Sequence, residues 1–211
     1  MIPLFPLNVV LCPDEPLSLH IFEERYKEMI SLCLKEIRPF GVILAHDNSM
    51  KTIGCSASIT EVSKVYSDGR MDIKTKGVQR FEVLSIDRRN AYLQATVAYF
   101  EDDFPIEEID SELKTKVHNL HRELLEIAKA NIDETIYKQQ NTSFLISHSA
   151  GIDLPDKQKL IEIRSENERL KFLEIHFYET IGKIRHYEEL KALILSNGHF
   201  KKFPPMNIDL L

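Results

Sequence analysis

Ile2-Pro3-Leu4-Phe5-Pro6-Leu7, then Val9-Val10-Leu11, then Pro16-Leu17-Ser18-Leu19-His20-Ile21-Phe22-Glu23-Glu24-Arg25-Tyr26 open the chain. The first part is short, apolar and cut by Pro3, Pro6, Pro13 and Pro16. Proline removes a ladder donor, which places these residues at the edges and bends of a sheet. The period then changes. Phe22, Tyr26, Met29, Ile30, Cys33, Leu34 and Ile37 recur at helical spacing, with Glu23, Glu24, Lys27, Glu28, Lys35 and Glu36 on the opposite side. Pro39 ends the run. The reading is a broken strand pair feeding one amphipathic helix, with Phe22, Tyr26, Met29 and Cys33 turned to the sheet.

Beyond the helix, Phe40 to Ala45 reads as a short buried strand. Ile53, Cys55, Ala57 and Ile59 keep odd parity and Val62 and Tyr66 even parity, so an extra residue is needed near Thr60–Glu61. Asp68-Gly69 supplies a hairpin turn. Gly77 marks a bend, and Ala91, Leu93, Ala95, Val97 and Tyr99 alternate. The pattern is an antiparallel meander that curls into a small incomplete barrel.

Glu101-Asp102-Asp103-Phe104-Pro105 is an acidic connection, and the domain boundary is placed there. The expected division is a β domain over 1–103, a helical domain over 104–200 and a tail over 201–211. In the second domain Ile109, Leu113, Val117, Leu120, Leu124 and Ile127 form one stripe. Pro155 suits a helix first turn, and Ser165-x-x-Glu168 is a capping box. Leu170, Leu173, Phe177, Ile181, Ile184, Leu190 and Ile194 run along a long final helix, with Asn197-Gly198 as its stop. The fold class is therefore α+β: a curled antiparallel pseudo-barrel with one packed helix, then a helical bundle.

These segments, in their order, resemble the N-terminal domain of Lon proteases in its stand-alone form. The residues that carry the resemblance are PLFPL with Pro6, the run through Leu17, Phe22, Glu23, Arg25 and Tyr26, then Gly41 and Gly54. Asp68-Gly69-Arg70 and Gly77-Val78-Gln79-Arg80-Phe81 follow, and Lys157 to Glu162 and Arg169 to Leu173 resemble the helical half. The resemblance spans roughly residues 1 to 195. It implies a PUA-like pseudo-barrel, a helical bundle, and a part in holding substrate polypeptides for ATP-dependent proteolysis. The ATPase module and the protease module with its Ser and Lys do not follow within the 211 residues, so the expectation is a module that is not an enzyme.

Composition bounds the rest. The net charge is −6, with no dense basic run, which argues against nucleic acid. Three cysteines without framework spacing point to a reducing cytoplasm. No apolar run reaches membrane-spanning length. Gly182-Lys183-Ile184 lacks the first Gly and the hydroxyl of a phosphate loop, and no cofactor is expected. His118 and His121 share a helix face at metal-ligand spacing, but an exposed polar face is the simpler reading, so no metal is expected. Cys12, Cys33 and Cys55 sit at apolar positions, with His20 and His46 as nominal partners for Cys55, and Ser147-His148-Ser149 lacks a nucleophile elbow. No catalytic residue is assigned.

Glu23, Arg25, Tyr26 and Arg80 are read as an ion-pair network locking the first helix to the sheet, with a ligand site as the other reading. Phe100 and Phe104 are the candidate anchors for a polypeptide client. Tyr99 has the parity of the buried set, which turns Phe100 the other way. Two functions stay open: a polypeptide-binding module, or a small ligand-binding protein or hydrolase using the cleft between sheet and helices. Client and oligomeric state are not specified by the sequence.

Overall fold

The computed structural model describes residues 1–46, 49–103, 107–131 and 133–197, the side chains of the last two residues excepted. Phe104, Gly198 and the tail 201–211 lie outside the described residues.

Six strands form one sheet: β1 (Ile2–Leu7), β2 (Pro16–Ile21), β3 (Phe40–His46), β4 (Ser49–Val65), β5 (Met71–Asp87) and β6 (Gln94–Tyr99). Their order is β2-β5-β4-β3-β1-β6, and β5 also pairs with β6. That extra pairing closes β1, β3, β4, β5 and β6 into a ring, with β2 attached to the first half of β5. Closure removes the open edges that a small curled sheet would otherwise expose. The protein is thus a mixed α+β chain with its sheet first and its helices after.

Two features of the opening stretch differ from the pattern reading. The strands β1 and β2 do not pair with each other. Instead β1 lies between β3 and β6, and its ladder with β3 is parallel, Leu4 opposite Gly41 and Leu7 opposite Leu44. A parallel neighbour needs a crossover, and β2 with α1 (Glu24–Glu36) supplies it. Pro3 and Pro6 therefore sit inside the ring rather than on its rim, whereas Pro13 lies in the turn before β2 and Pro16 opens that edge strand, as the pattern reading expects. Leu4 N donates to Leu93 O, so the nitrogen of Pro6, two residues on, faces the same side, where β6 pairs no further than Pro3. Pro3 faces the other side, where the β3 ladder begins only at Leu4. Neither ring interrupts a ladder bond.

The helix α1 buries Tyr26, Met29, Ile30 and Cys33, the i, i+3, i+4, i+7 set. Phe22 is not among them. It is 60% exposed, because Glu23 is the N-cap and Phe22 follows the inward Ile21 at the end of β2, so alternation turns it outward. Ile37 is also exposed, as a left-handed C-cap with φ 50°.

The bulge near Thr60 is present as a register shift between Ile59 and Glu61. At the hairpin, Gly69 N donates to Tyr66 O and only Gly69 has positive φ, 80°. This is the turn that ends in one left-handed residue, not the paired left-handed form. Gly77 lies within a continuous β5, and a Cβ there would stand 2.0 Å from Cys12 O. The glycine lets the 12–15 turn rest directly on the strand, with Gly77 N donating to Glu15 O and Asp14 N to Gly77 O. Gly41 and Gly54 leave room for the Phe81 ring.

The helices are α2 (Ser111–Ile127), α3 (Ser143–Ser147), α4 (Leu154–Glu162) and α5 (Glu166–Asn197). Leu113, Val117, Leu120 and Leu124 of α2 pack with Ile146, Leu160, Leu170, Leu173, Phe177 and Ile181. Pro155 stands in the first turn of α4, and Ser165 Oγ accepts from Glu168 N at the start of α5. Ile161 of α4 belongs to the core beneath the sheet and α1, so this helix reaches across to the β half. The α5 stripe is buried only to Ile181; Leu190 and Ile194 are exposed where the helix outruns its neighbours. Among the described residues no helix is long and apolar enough to cross a membrane.

Candidate functional site: the groove between sheet and helices

Arg80 on β5 is 4% exposed and points at the helices. Its Nη1 donates to Ile161 O at 3.1 Å and Ile163 O at 2.6 Å, at the C-terminal end of α4, where unsatisfied carbonyls favour a cation. Its Nη2 donates to Asp102 Oδ1 at 2.5 Å. Arg169, on the first turn of α5, is 1% exposed and uses all five of its N–H donors. They go to both oxygens of Asp102, to Ile163 O, to Glu166 Oε2 and to Ser143 Oγ. Glu166 then accepts from Thr142 N and Ser143 N, capping the start of α3. Two cations and two carboxylates are thus buried with their hydrogen bonds satisfied, the condition under which buried charge is tolerated. Burial pulls the Asp102 carboxyl upward, but Arg169 and Arg80 outweigh it and hold it below the usual carboxylate range.

Above this cluster lies a groove of about 700 Å³. Phe100 sits against two guanidiniums, with Arg80 4.8 Å and Arg164 4.4 Å from its ring centre. Phe144 sits against Arg80 and Arg169 at 5.2 and 4.4 Å. Val78, Ile109, Leu145 and Ile163 complete the apolar lining.

The expected network of Glu23, Arg25, Tyr26 and Arg80 separates into two. Glu23 pairs with Arg25 at 2.6 Å on the surface, Arg25 covers the Tyr26 ring, and Tyr26 stacks on Phe5 at 4.0 Å. Arg80 joins none of these and ties the sheet to the helices instead. Tyr99 is 46% exposed rather than buried, although it pairs with the buried Phe81 and its ring lies edge-on to that ring. Phe100 does line the groove; Phe104 lies outside the described residues. The sequence reading missed Asp102, which passed for one more acid in a linker, and Glu166 and Arg169. Their i, i+3 spacing beside a cap was the available signal.

The candidate nucleophiles are occupied. Cys12, Cys33 and Cys55 are buried and free, and burial, then the Glu15 charge, pushes the Cys12 thiol up to about 12. A thiol so placed is not a ready thiolate. Ser147 Oγ donates to Phe144 O. His118 and His121 are buried, not exposed as expected. His118 pairs with Thr142 Oγ1, and His121 is held between Tyr137 OH at 2.8 Å and Ser149 Oγ at 2.9 Å. Burial, then neighbouring charges, pushes both imidazoles down to about 4. A second tie between the halves is Glu15, whose carboxylate accepts from Cys12 N, Lys157 Nζ and His148 Nδ1.

A ring of strands with a crossover helix is thus joined to a helical half by buried charge, and an open groove lies over the junction. The model of the ATP-dependent protease La (LON) substrate-binding domain matches residues 1–176, and the chain belongs to that family. It is 23% identical to a Lon protease of Anaeromyxobacter dehalogenans (strain 2CP-C), over 82% of this chain and 22% of the relative. To a Lon protease of Buchnera aphidicola subsp. Baizongia pistaciae (strain Bp) it is 25% identical, over 82% of this chain and 24% of the relative. The chain therefore spans no more than about a quarter of the length of the curated relatives it matches. The crystal structure of a Lon N-terminal domain protein from Xanthomonas campestris superposes with a TM-score of 0.66 at 24% identity, covering 82% of this chain and 95% of that one. The N-terminal domain of the Mycobacterium avium complex Lon protease gives 0.64 at 15% identity, covering 84% and 97%. These two likenesses establish a shared fold.

Proposed function

We propose that the chain is a non-catalytic module that holds unfolded polypeptide segments in the groove between its β half (1–103) and its helical half (104–200). The groove carries this reading: about 700 Å³, open, with aromatic and aliphatic side chains on its floor. Membership of a substrate-binding-domain family supports it. The convergent polar groups beneath the groove bond to one another, which favours a binder over a hydrolase or a small-ligand enzyme. The net charge of −6 favours protein over nucleic acid as partner, and three free buried thiols suit a cytoplasmic location.

The test is to titrate a labelled, permanently unfolded model polypeptide into the protein and follow anisotropy. Saturable binding is expected, weakened in Phe100→Ser once circular dichroism and melting show that variant folded. No binding would overturn the proposal, and an unweakened Phe100→Ser would move the site elsewhere. ATP hydrolysis or peptide cleavage by the pure protein would overturn the non-catalytic reading.

A further inference from the structure

The lining of the groove carries more than apolar surface. Among the described residues eight carboxylates and three guanidiniums line it. Two of the guanidiniums, Arg80 and Arg169, are consumed by Asp102 and Glu166 below the floor. What remains is a rim of six carboxylates and Arg164; Asp14 is paired with Lys76 at 2.6 Å, which leaves Glu101, Glu107, Glu162 and Glu168 without a salt bridge among the described residues. Arg164 is itself 3.7 Å from Asp103. An aromatic and aliphatic floor under a strongly one-signed rim focuses negative potential onto whatever occupies the groove. An acidic segment entering here would meet repulsion from both sides; a basic one would have its charges matched while its apolar side chain reaches the floor.

From this we infer that the groove takes an extended polypeptide segment in which an apolar or aromatic residue is flanked by lysine or arginine. This rests on the polypeptide-binding reading and names the class of segment that the site selects. The apolar floor supplies attachment, and the rim supplies discrimination, since complementary potential acts on partner choice and encounter rate more than on raw affinity. Anionic segments and nucleic acid are disfavoured for the same reason.

The experiment uses the full chain and three labelled peptides of one length with the same central Phe-Leu pair, flanked by Lys, by Ser or by Glu. The expected order is Lys tighter than Ser tighter than Glu, with about tenfold or more between the extremes at low salt and a gap that narrows as salt is added. Reversing two rim charges, Glu101→Lys with Glu168→Lys, should remove most of that gap. The same charge change made outside the groove, Glu28→Lys with Glu179→Lys, should leave most of it. Equal affinity for the three peptides overturns the inference while the polypeptide-binding reading stands. Equal loss in the two charge-reversed proteins also overturns it, because net charge and not the groove would then be responsible. Binding of none of the peptides overturns the inference and the reading beneath it together.

Discussion

Arg169 Nη1 and Nη2 meet Asp102 Oδ1 and Oδ2 through two parallel hydrogen bonds of 2.7 and 2.6 Å. This bidentate pair joins the segment after β6 to the first turn of α5, and Arg80 closes on the same carboxylate from the sheet. Among the described residues Asp102 is the one carboxylate that both buried guanidiniums share. Asp102→Ala leaves Arg80 buried without its carboxylate and Arg169 with Glu166 alone. The expected loss is roughly 3–5 kcal/mol in urea unfolding, with Asp102→Asn milder. A loss under ~1 kcal/mol would show that the carbonyls of Ile161 and Ile163 suffice to hold the arginines.

Tyr26 and Phe22 flank the start of α1 and face opposite ways. Tyr26 is 8% exposed and stacked on Phe5; Phe22 is 60% exposed. Tyr26→Ala is expected to cost ~3–5 kcal/mol through lost burial and a cavity, and Phe22→Ala less than about 1 kcal/mol. Thermal melts of the two variants side by side decide this, and equal effects would place Phe22 in a contact of comparable weight.

Gly77 and Gly69 are irreplaceable for different reasons. A Cβ at Gly77 strikes Cys12 O at 2.0 Å, so even Gly77→Ala must lift the 12–15 turn off the strand. A cost of roughly 3 kcal/mol or more is expected. A Cβ at Gly69 meets only the Lys27 side chain, at an ordinary contact distance of 3.8 Å, but φ is 80°, and Gly69→Val is expected to cost ~1–3 kcal/mol. Melting temperatures should rank Gly77→Ala below Gly69→Val, and the reverse order would contradict the close approach.

His118 and His121 make stability depend on pH. Each is held neutral in the fold with its pKa lowered from 6.5 to about 4, so between those values the unfolded chain binds more protons. Their contribution is fully present above about pH 6.5 and is lost as pH falls towards 4; it would reach about 7 kcal/mol for the pair without solvent screening, and screening with the mutual repulsion of the two rings reduces it to roughly half of that. Urea unfolding at pH 7 and pH 5 should show the decline, and His118→Gln with His121→Gln should flatten it. An unchanged slope in the double variant would assign the decline to other groups.

Elements whose own residues determine them were legible in the sequence. The period of α1, the bulge forced by the parity change before Val62, the Asp68-Gly69 turn and the Pro155 start of α4 are all local. What stayed hidden depends on partners distant in the chain. No period marks β1 as a parallel neighbour of β3, because a strand buried on both sides reads the same in either direction. Arg80 was singled out but assigned to the wrong neighbours, since residues near in a motif are not thereby near in space. Asp102 could not be told from the acids beside it until Arg80 and Arg169 converged on it. Likewise the apolar stripe of α5 continues past Ile181, while among the described residues the surface it would pack on does not.

The position of β1 sets an order of events during synthesis. Strand β1 leaves the ribosome before either of its partners and ends up between β3 and β6, with Ile2 opposite Ala95. Its place stays half-built until β6 has emerged, and until then the apolar stretch from Ile2 to Leu7 has an unsatisfied side. Closing the ring is therefore a long-range and slow step, since distant pairings must overcome chain entropy before they are rewarded. During that interval the nascent chain itself exposes the kind of unpaired strand on which chaperones act.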